Sequence, residues 1–258
     1  MHYLVQSNIY SDDDHQRLIE TLEELGLSYE TIELGPETKE IHTQTERRNI
    51  FVYGSVKLAR LAKTNTHWMP GSFYGGNHRF EIHSKYYKEH LLNYQTDVFE
   101  LAEKIQWKEG EQKFIKPYVD AKIFTGQVFT QTKWDNFVSE ALKQPKTPLL
   151  KATSLVQASI PQRLIKEARL WIVGKQIVAG AYYRFHGDVP FEKEVSADGI
   201  EFAQSMLEIY NVERAFVMDI CLSYEGWKIV EVNCINSAGF YPSLNIKTLI
   251  RALEVYFS

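Results

Sequence analysis

Apolar and polar positions run through this chain in two regimes, with a change near residue 100. In the first regime, short apolar runs alternate with amphipathic stretches. "YLVQ" at the start has the composition of a strand, and Ser11 with Asp12, Asp13 and Asp14 makes a helix start. The hydroxyl caps free amides, and the carboxylates suit the positive end of the helix dipole. Leu18, Ile19, Leu22 and Leu25 fall on one helical face, and Gly26 follows as a stop. "SYETIEL" alternates as a strand does, and "NIFVYGS" reads as a buried strand opening into the helix "VKLARLAK". This order predicts a small parallel sheet with crossover helices. The stretch "HWMPGSFYGGNHRF" then interrupts the pattern with Pro70, Gly71, Gly75 and Gly76, an irregular loop. Two helical pieces follow, "SKYYKEHLL" and "TDVFELAEKI".

From about Gly110 the chain turns to β-rich pairs: "QKFIKPYVD", "KIFTGQVF", "LLKATSLVQ", "ARLWIVGKQIVAGAYYRF" and "AFVMDICLSYEGWKIVEVN". Helices are expected at "KWDNFVSEALKQ" and "DGIEFAQSMLEIY", and "SLNIKTLIRALEVYF" closes the chain. The expected boundary is near residue 100, with a small α/β domain over 1–100 and a larger α+β domain over 101–258.

The second regime contains a strand that breaks its own rule. In "KIVEVNCINSAGF", Glu231 and Asn233 share a face while Val230, Val232 and Cys234 take the other. A carboxylate among such neighbours needs a cation, a hydrogen-bonding partner or water. Tyr224-Glu225-Gly226 reads as a three-residue hairpin loop, with glycine where a left-handed residue is wanted. If Ser223 faces Trp227, counting back sets Asp219 opposite Glu231, with Asn233 one step along the same face. Phe216, Met218, Ile220, Leu222, Val230 and Val232 then form the apolar face. Directly opposed acids destabilise a sheet, so a solvated hairpin face is the poorer reading. Two carboxylates and an amide suit a hard cation such as Mg²⁺, especially one that also holds phosphates.

Composition narrows the class. The 258 residues allow one large or two packed domains, and 44% hydrophobic with 24% charged content is ordinary for a soluble protein. A net charge of −4 argues against nucleic acid as partner. Cys221 and Cys234 make neither a disulfide framework nor a zinc knuckle. No apolar run reaches transmembrane length, and the first residues lack a basic start and a small-residue cleavage site. A reducing, cytoplasmic setting without membrane contact is expected. The glycine-rich "PGSFYGGNHRF" lacks the lysine and context of a phosphate loop and reads as a substrate loop. His67, His78, His83 and His90 show no metal-ligand spacing and are expected at the surface.

A phosphate site needs cations, and the β-rich half supplies candidates: Lys116 in "FIKP", Lys122 in "DAKIFTG", Arg169 in "EARLWIVG" beside Glu167, and Arg184 at the end of "IVAGAYYRF". Singly, each is a long side chain snorkelling from a sheet edge. Together with a carboxylate cluster they point to phosphate.

At this point the chain resembles the ATP-grasp superfamily from about Glu111 to its end. "FIKP", then "SLVQASI" leading to "EARLWIVGKQIVAGAYYR", then "VMDICLSYEGWKIVEVNCINSAGF" carry the resemblance in order. The earlier phosphate-binding lysine usual in that family has no equivalent between Gln95 and Lys113. Lys122 is the candidate substitute, which is similar to a phage and bacterial clade with one lysine relocated. A turn over Pro117 to Ala121 would bring Lys116 and Lys122 together.

The resemblance implies a small α/β pre-ATP-grasp-like domain followed by a two-lobed ATP-grasp domain that binds ATP with Mg²⁺ or Mn²⁺. It implies that Asp219, Glu231 and Asn233 hold the metal, while Lys116 and Lys122 contact phosphates. Val156, Gln157, Ala158, Ser159 and Ile160 would form the hinge beside adenine, with Glu167 on the ribose. Arg169 and Arg184 would face phosphates or the acyl intermediate, making them, with Lys122, the catalytic candidates. Asn236 to Phe240 would lie beside the acceptor. The implied activity is an ATP-dependent carboxylate–amine ligase working through an acyl phosphate on a small molecule or peptide, as a monomer or homodimer. A phosphotransferase on the same site and a nucleotide-binding module without turnover are the rivals.

Overall fold

Strand β1 (His2–Gln6) is buried along its whole length, which its apolar run anticipates. The computed structural model describes residues 1–9, 12–118, 124–144, 150–187 and 191–258, so the expected cap Ser11 lies outside the described residues. Helix α1 (Asp12–Glu24) follows, with Leu18 and Leu22 buried and Ile19 and Leu25 packed against the same core. Burying each leucine is worth roughly 1.5–3 kcal/mol. Gly26 ends the helix at φ +63°, where a Cβ would be strained.

Strands β2 (Ser28–Ile32), β3 (Asn49–Tyr53) and β4 (Met69–Gly71) complete a four-stranded sheet in the order β2-β1-β3-β4, parallel throughout. Helix α2 (Val56–Lys63) crosses between β3 and β4, capped by the Ser55 hydroxyl, which accepts from the Leu58 amide at 3.1 Å. The parallel sheet is as expected. Its fourth strand is not: β4 sits inside the stretch read as irregular loop.

Helix α3 (Phe80–Tyr87) begins earlier than its predicted start at Ser84. "TDVFELAEKI" is corrected more deeply, because residues 97–100 form a strand, β5 (Asp97–Glu100). Val98, Leu101 and Ile105 have helical spacing, but Phe99 is buried while Val98 is exposed, the alternation of a strand. Antiparallel pairing with β8 (Leu155–Ser159) overrides the local pattern. With β6 (Gln112–Pro117) and β7 (Gln127–Thr130) these strands make a second sheet, β5-β8-β6-β7, covered by α4 (Gln131–Lys143). Phe99, Ile115, Phe129, Trp134 and Val156 form a core of this lobe's own.

The third sheet is antiparallel, in the order β10-β9-β11-β12, from β9 (Leu164–Val173), β10 (Gln176–Phe185), β11 (Ala215–Ser223) and β12 (Gly226–Asn233). One face packs Leu170, Ile172, Phe216, Met218 and Ile229 against α3 and α5 (Ala197–Ile209). The other face is apolar at one end, where Trp171, Val173 and Val217 join Tyr3, Phe51 and α6 (Ile246–Phe257) in a core shared with the first sheet. At its other end that face is polar, and the candidate site lies there.

Candidate active site

Asp219 does pair with Glu231 across the β11–β12 hairpin, but by a different route from simple counting. The turn has two residues, since Ser223 faces Gly226, and the ladder then skips Val230 between the Ile220–Ile229 and Asp219–Glu231 pairs. A shorter turn and a one-residue bulge compensate each other. Gly226, at φ +104°, closes the turn where a side chain would be strained. The bulge also corrects the predicted apolar face: Ile229 is buried in the core, and Val230 lines a cleft instead.

The register of β9 against β11 sets Arg169 directly opposite Asp219. Arg169 grips that carboxylate at two points, Nε to Oδ1 at 2.8 Å and Nη2 to Oδ2 at 2.7 Å. Its Nη1 donates to the Gly239 carbonyl at 3.3 Å, and its guanidinium lies 5.1 Å from the Tyr241 ring centre. Two-point contact at these distances is that of an ionised pair. Burial pushes the Asp219 carboxyl up to about 7, partly offset by Arg169. Burial works against the charge of Arg169, and Asp219 outweighs it, raising the guanidinium further.

Asn233 donates its amide to Glu231 Oε1 at 2.8 Å and to Asp219 Oδ2 at 3.5 Å. Burial works to raise Glu231, yet Lys116, the Asn233 amide and Arg169 hold it below the usual carboxylate range. The three expected metal ligands are thus brought together. Asp219 is 2% exposed, whereas the Glu231 side chain is 46% exposed. Two carboxylates and an amide whose oxygen turns inward on rotation are hard oxygen donors, which fit Mg²⁺. Among the described residues no three His, Cys, Asp or Glu side chains cluster, so phosphate and water would complete the shell.

A cleft of about 840 Å³ opens beside this cluster, between the second and third sheets. Lys116 enters it from β6, Gln157 from β8, and Glu231 and Asn233 from β12. Lys116 is the largest charge influence on Glu231, so opposite signs meet across the cleft. Gly126 keeps the wall thin: a Cβ there would come within 2.8 Å of Lys116 Cβ and 2.9 Å of the Phe114 ring. Among the described lining residues, Lys116 and Arg79 balance Glu81 and Glu231 in charge.

Lys122 lies outside the described residues, as does most of the turn expected over 117–121. In β8, Val156 and Ala158 pack into the lobe core, while the Gln157 side chain faces the cleft with its Oε1 unpaired among the described residues. Ser159 bonds Asn93 at 2.9 Å, and Ile160 is 73% exposed. The backbone of Val156 to Ala158 pairs with β5 on one side and β6 on the other. Glu167 and Arg184 form a second cluster. Glu167 is buried and accepts from Tyr183 at 3.0 Å, Arg184 at 3.2 Å and His186 at 2.8 Å, so both of its oxygens are engaged. Neither Glu167 nor Arg184 lines the cleft.

The stretch Tyr74–His83 forms a wall of the cleft through Tyr74, Gly75, Gly76, Arg79, Phe80 and His83. His83 is 4% exposed, which corrects its reading as a surface histidine. Its neighbours Phe80 and Tyr87 bury it as α3 packs on the third sheet. The glycines of "PGSFYGG" are the one local signal for this wall. Asn236, in the short turn after β12, is wholly buried. Its Nδ2 donates to the carbonyls of Val52 at 2.7 Å and Gly71 at 3.3 Å, and its Oδ1 accepts from the Phe73 amide at 2.7 Å. The segment after the metal cluster is thereby tied to the first sheet.

Two facing sheets with a lysine on one and a carboxylate–amide hairpin on the other define an ATP-grasp protein. The model of an ATP-grasp domain family, the third family of its clade, matches residues 74–253, and the chain belongs to it. The structure is similar to D-alanine–D-alanine ligase from Bacillus anthracis, with 13% identity and a TM-score of 0.59 over 100% of this chain and 94% of that one. It is similar to the ATP-grasp ligase PsnB complexed with a minimal precursor, at 13% identity and a TM-score of 0.59 over 99% of this chain and 98% of that one. The macrocyclase MdnC bound with the precursor peptide MdnA from Microcystis aeruginosa MRC also aligns, at 13% identity and a TM-score of 0.53 over 100% of both chains. No curated protein sequence gives a significant match. Among the described residues no helix is long and apolar enough to cross a membrane.

Proposed function

We propose that the protein is an ATP-dependent carboxylate–amine ligase that activates its carboxylate as an acyl phosphate. The observation that carries this reading is the single cleft entered by Lys116 from one sheet and by Glu231 and Asn233 from the facing one. ATP bound there with Mg²⁺ supplies a transferable phosphoryl group and the charge that offsets its own oxygens. Lys116 contacts phosphoryl oxygens, and Asp219, Glu231 and Asn233 hold the metal. Arg169 keeps Asp219 ionised and oriented against the cost of burial. Gln157 and the chain after Ser159 meet the base, and Lys122 is the second phosphate-binding lysine. Glu167 orients Arg184 toward the acyl end.

The chemistry needs little covalent help from the chain. A carboxylate is a poor electrophile, so phosphorylation precedes attack by an amine, and positioning with charge neutralisation supplies the rate. The wall from Tyr74 to His83 and the domain over 1–100 would select the substrate, with residues 101–258 as the ATP-binding domain. PsnB and MdnC are seen with precursor peptides, which makes a peptide carboxylate the first substrate class to try.

The test combines ATP, Mg²⁺ and pools of amino acids or peptides with hydroxylamine, which traps an acyl phosphate as a hydroxamate. ADP release with hydroxamate formation, lost in Lys116→Met, is expected. Phosphate retained on the acceptor would turn the reading to a phosphotransferase, and no ADP release from any pool would sink it.

A further inference from the structure

His83 lines the cleft although its ring is almost wholly buried. Phe80 meets the ring edge-on at 5.8 Å, and Tyr87 packs against it at 6.1 Å, which fixes the ring plane. The charged and titratable groups around it are Lys116 from β6, Glu231 from β12 and His78 from its own segment. Burial, reinforced by Lys116 and His78, lowers its pKa to about 4, so the ring carries one N–H and one lone pair at neutral pH. One ring nitrogen bonds the His78 carbonyl, and Nδ1 has no partner among the described residues. The N–H therefore belongs to Nε2 and the lone pair to Nδ1. A phenylalanine would fill the same space without an unpaired acceptor at the wall of a reaction cleft.

We propose that His83 Nδ1 accepts a hydrogen bond from the attacking amine, making the part of the cleft between α3 and β12 the amine subsite. The proposal rests on the ligase reading and adds its acceptor site. A lone pair takes N–H donors and offers nothing to carboxylate or phosphoryl oxygens, so it sorts the nucleophile from the other two ligands. Nδ1 has almost no solvent contact, and an amine reaches it with a small side-chain adjustment of the kind binding commonly brings.

The experiment uses the full chain labelled with ¹⁵N-histidine and saturated with Mg·ADP. Methylammonium is the probe, and tetramethylammonium, which has no N–H, is the control. The Nδ1 resonance of His83 should be that of an unprotonated nitrogen and should move with methylammonium but not with tetramethylammonium. His83→Phe should weaken methylammonium binding about tenfold, the loss of one hydrogen bond, while its Mg·ADP affinity stays within about twofold. A protonated Nδ1, an unresponsive resonance, or unchanged methylammonium binding in His83→Phe overturns the assignment and leaves the ligase reading standing. Failure of Mg·ADP to bind the unsubstituted chain overturns the ligase reading itself.

Discussion

Replacing Asn236 tests whether the first sheet and the metal-binding hairpin are locked together by one side chain. In Asn236→Leu the volume is kept and the polar atoms are lost. Two bonds of 2.7 Å disappear, to the Val52 carbonyl and from the Phe73 amide, at a site with no solvent exposure. A buried group left unpaired costs about 1–3 kcal/mol, so the two together cost roughly 2–6 kcal/mol. Asn236→Asp sharpens the argument. It keeps the acceptor for Phe73 but points carboxylate oxygen at the carbonyls of Val52 and Gly71. It should therefore be at least as damaging as leucine despite being nearly isosteric. Urea unfolding, followed by tryptophan fluorescence, measures both. An Asn236→Asp protein within about 1 kcal/mol of the parent would refute the latch and the hydrogen-bond directions on which it rests.

Glu231→Gln should abolish Mg-dependent ATP turnover while shifting unfolding by under about 1 kcal/mol, because that side chain is half exposed; normal turnover would make the cluster structural. Gly126→Ala should weaken nucleotide binding, measured calorimetrically, because its Cβ must displace Lys116 or Phe114, with a stability loss of about 1–3 kcal/mol. Burial holds the folded pKa of His83 near 4 against an ordinary 6.5. Only the unfolded chain takes up that proton between those values, so stability falls as pH drops through this window, by up to about 3 kcal/mol. Unfolding midpoints at pH 7 and pH 4.5 should converge more in His83→Phe than in the parent, and an equal acid loss in both would remove His83 as a source.

Features set by local pattern were legible in the sequence. The parallel sheet follows from apolar runs joined by one-faced helices, and the Asp219–Glu231–Asn233 cluster follows from alternation on a hairpin with a glycine turn. Features set by distant partners were not. Four residues, Asp97 to Glu100, are too few to reveal a strand until β8 pairs with them. The bulge at Val230 leaves no trace because it restores the parity that a shorter turn would break. Arg169 stands out as a charge in an apolar strand, but its partner lies fifty positions away and depends on which strand docks beside β9. His83 is hidden by the packing of α3, which its own neighbours do not announce.

The balance of Lys116 and Arg79 against Glu81 and Glu231 bears on how quickly a nucleotide finds the cleft. Long-range attraction depends on net charge and fades within about 8 Å at physiological salt. A lining whose charges cancel projects little field, so an anionic nucleotide drifts in unguided and is recognised only once it touches the walls. Association rates should then respond weakly to ionic strength, while dissociation rates, set by close contacts with Lys116 and the carboxylate cluster, carry the discrimination between ligands.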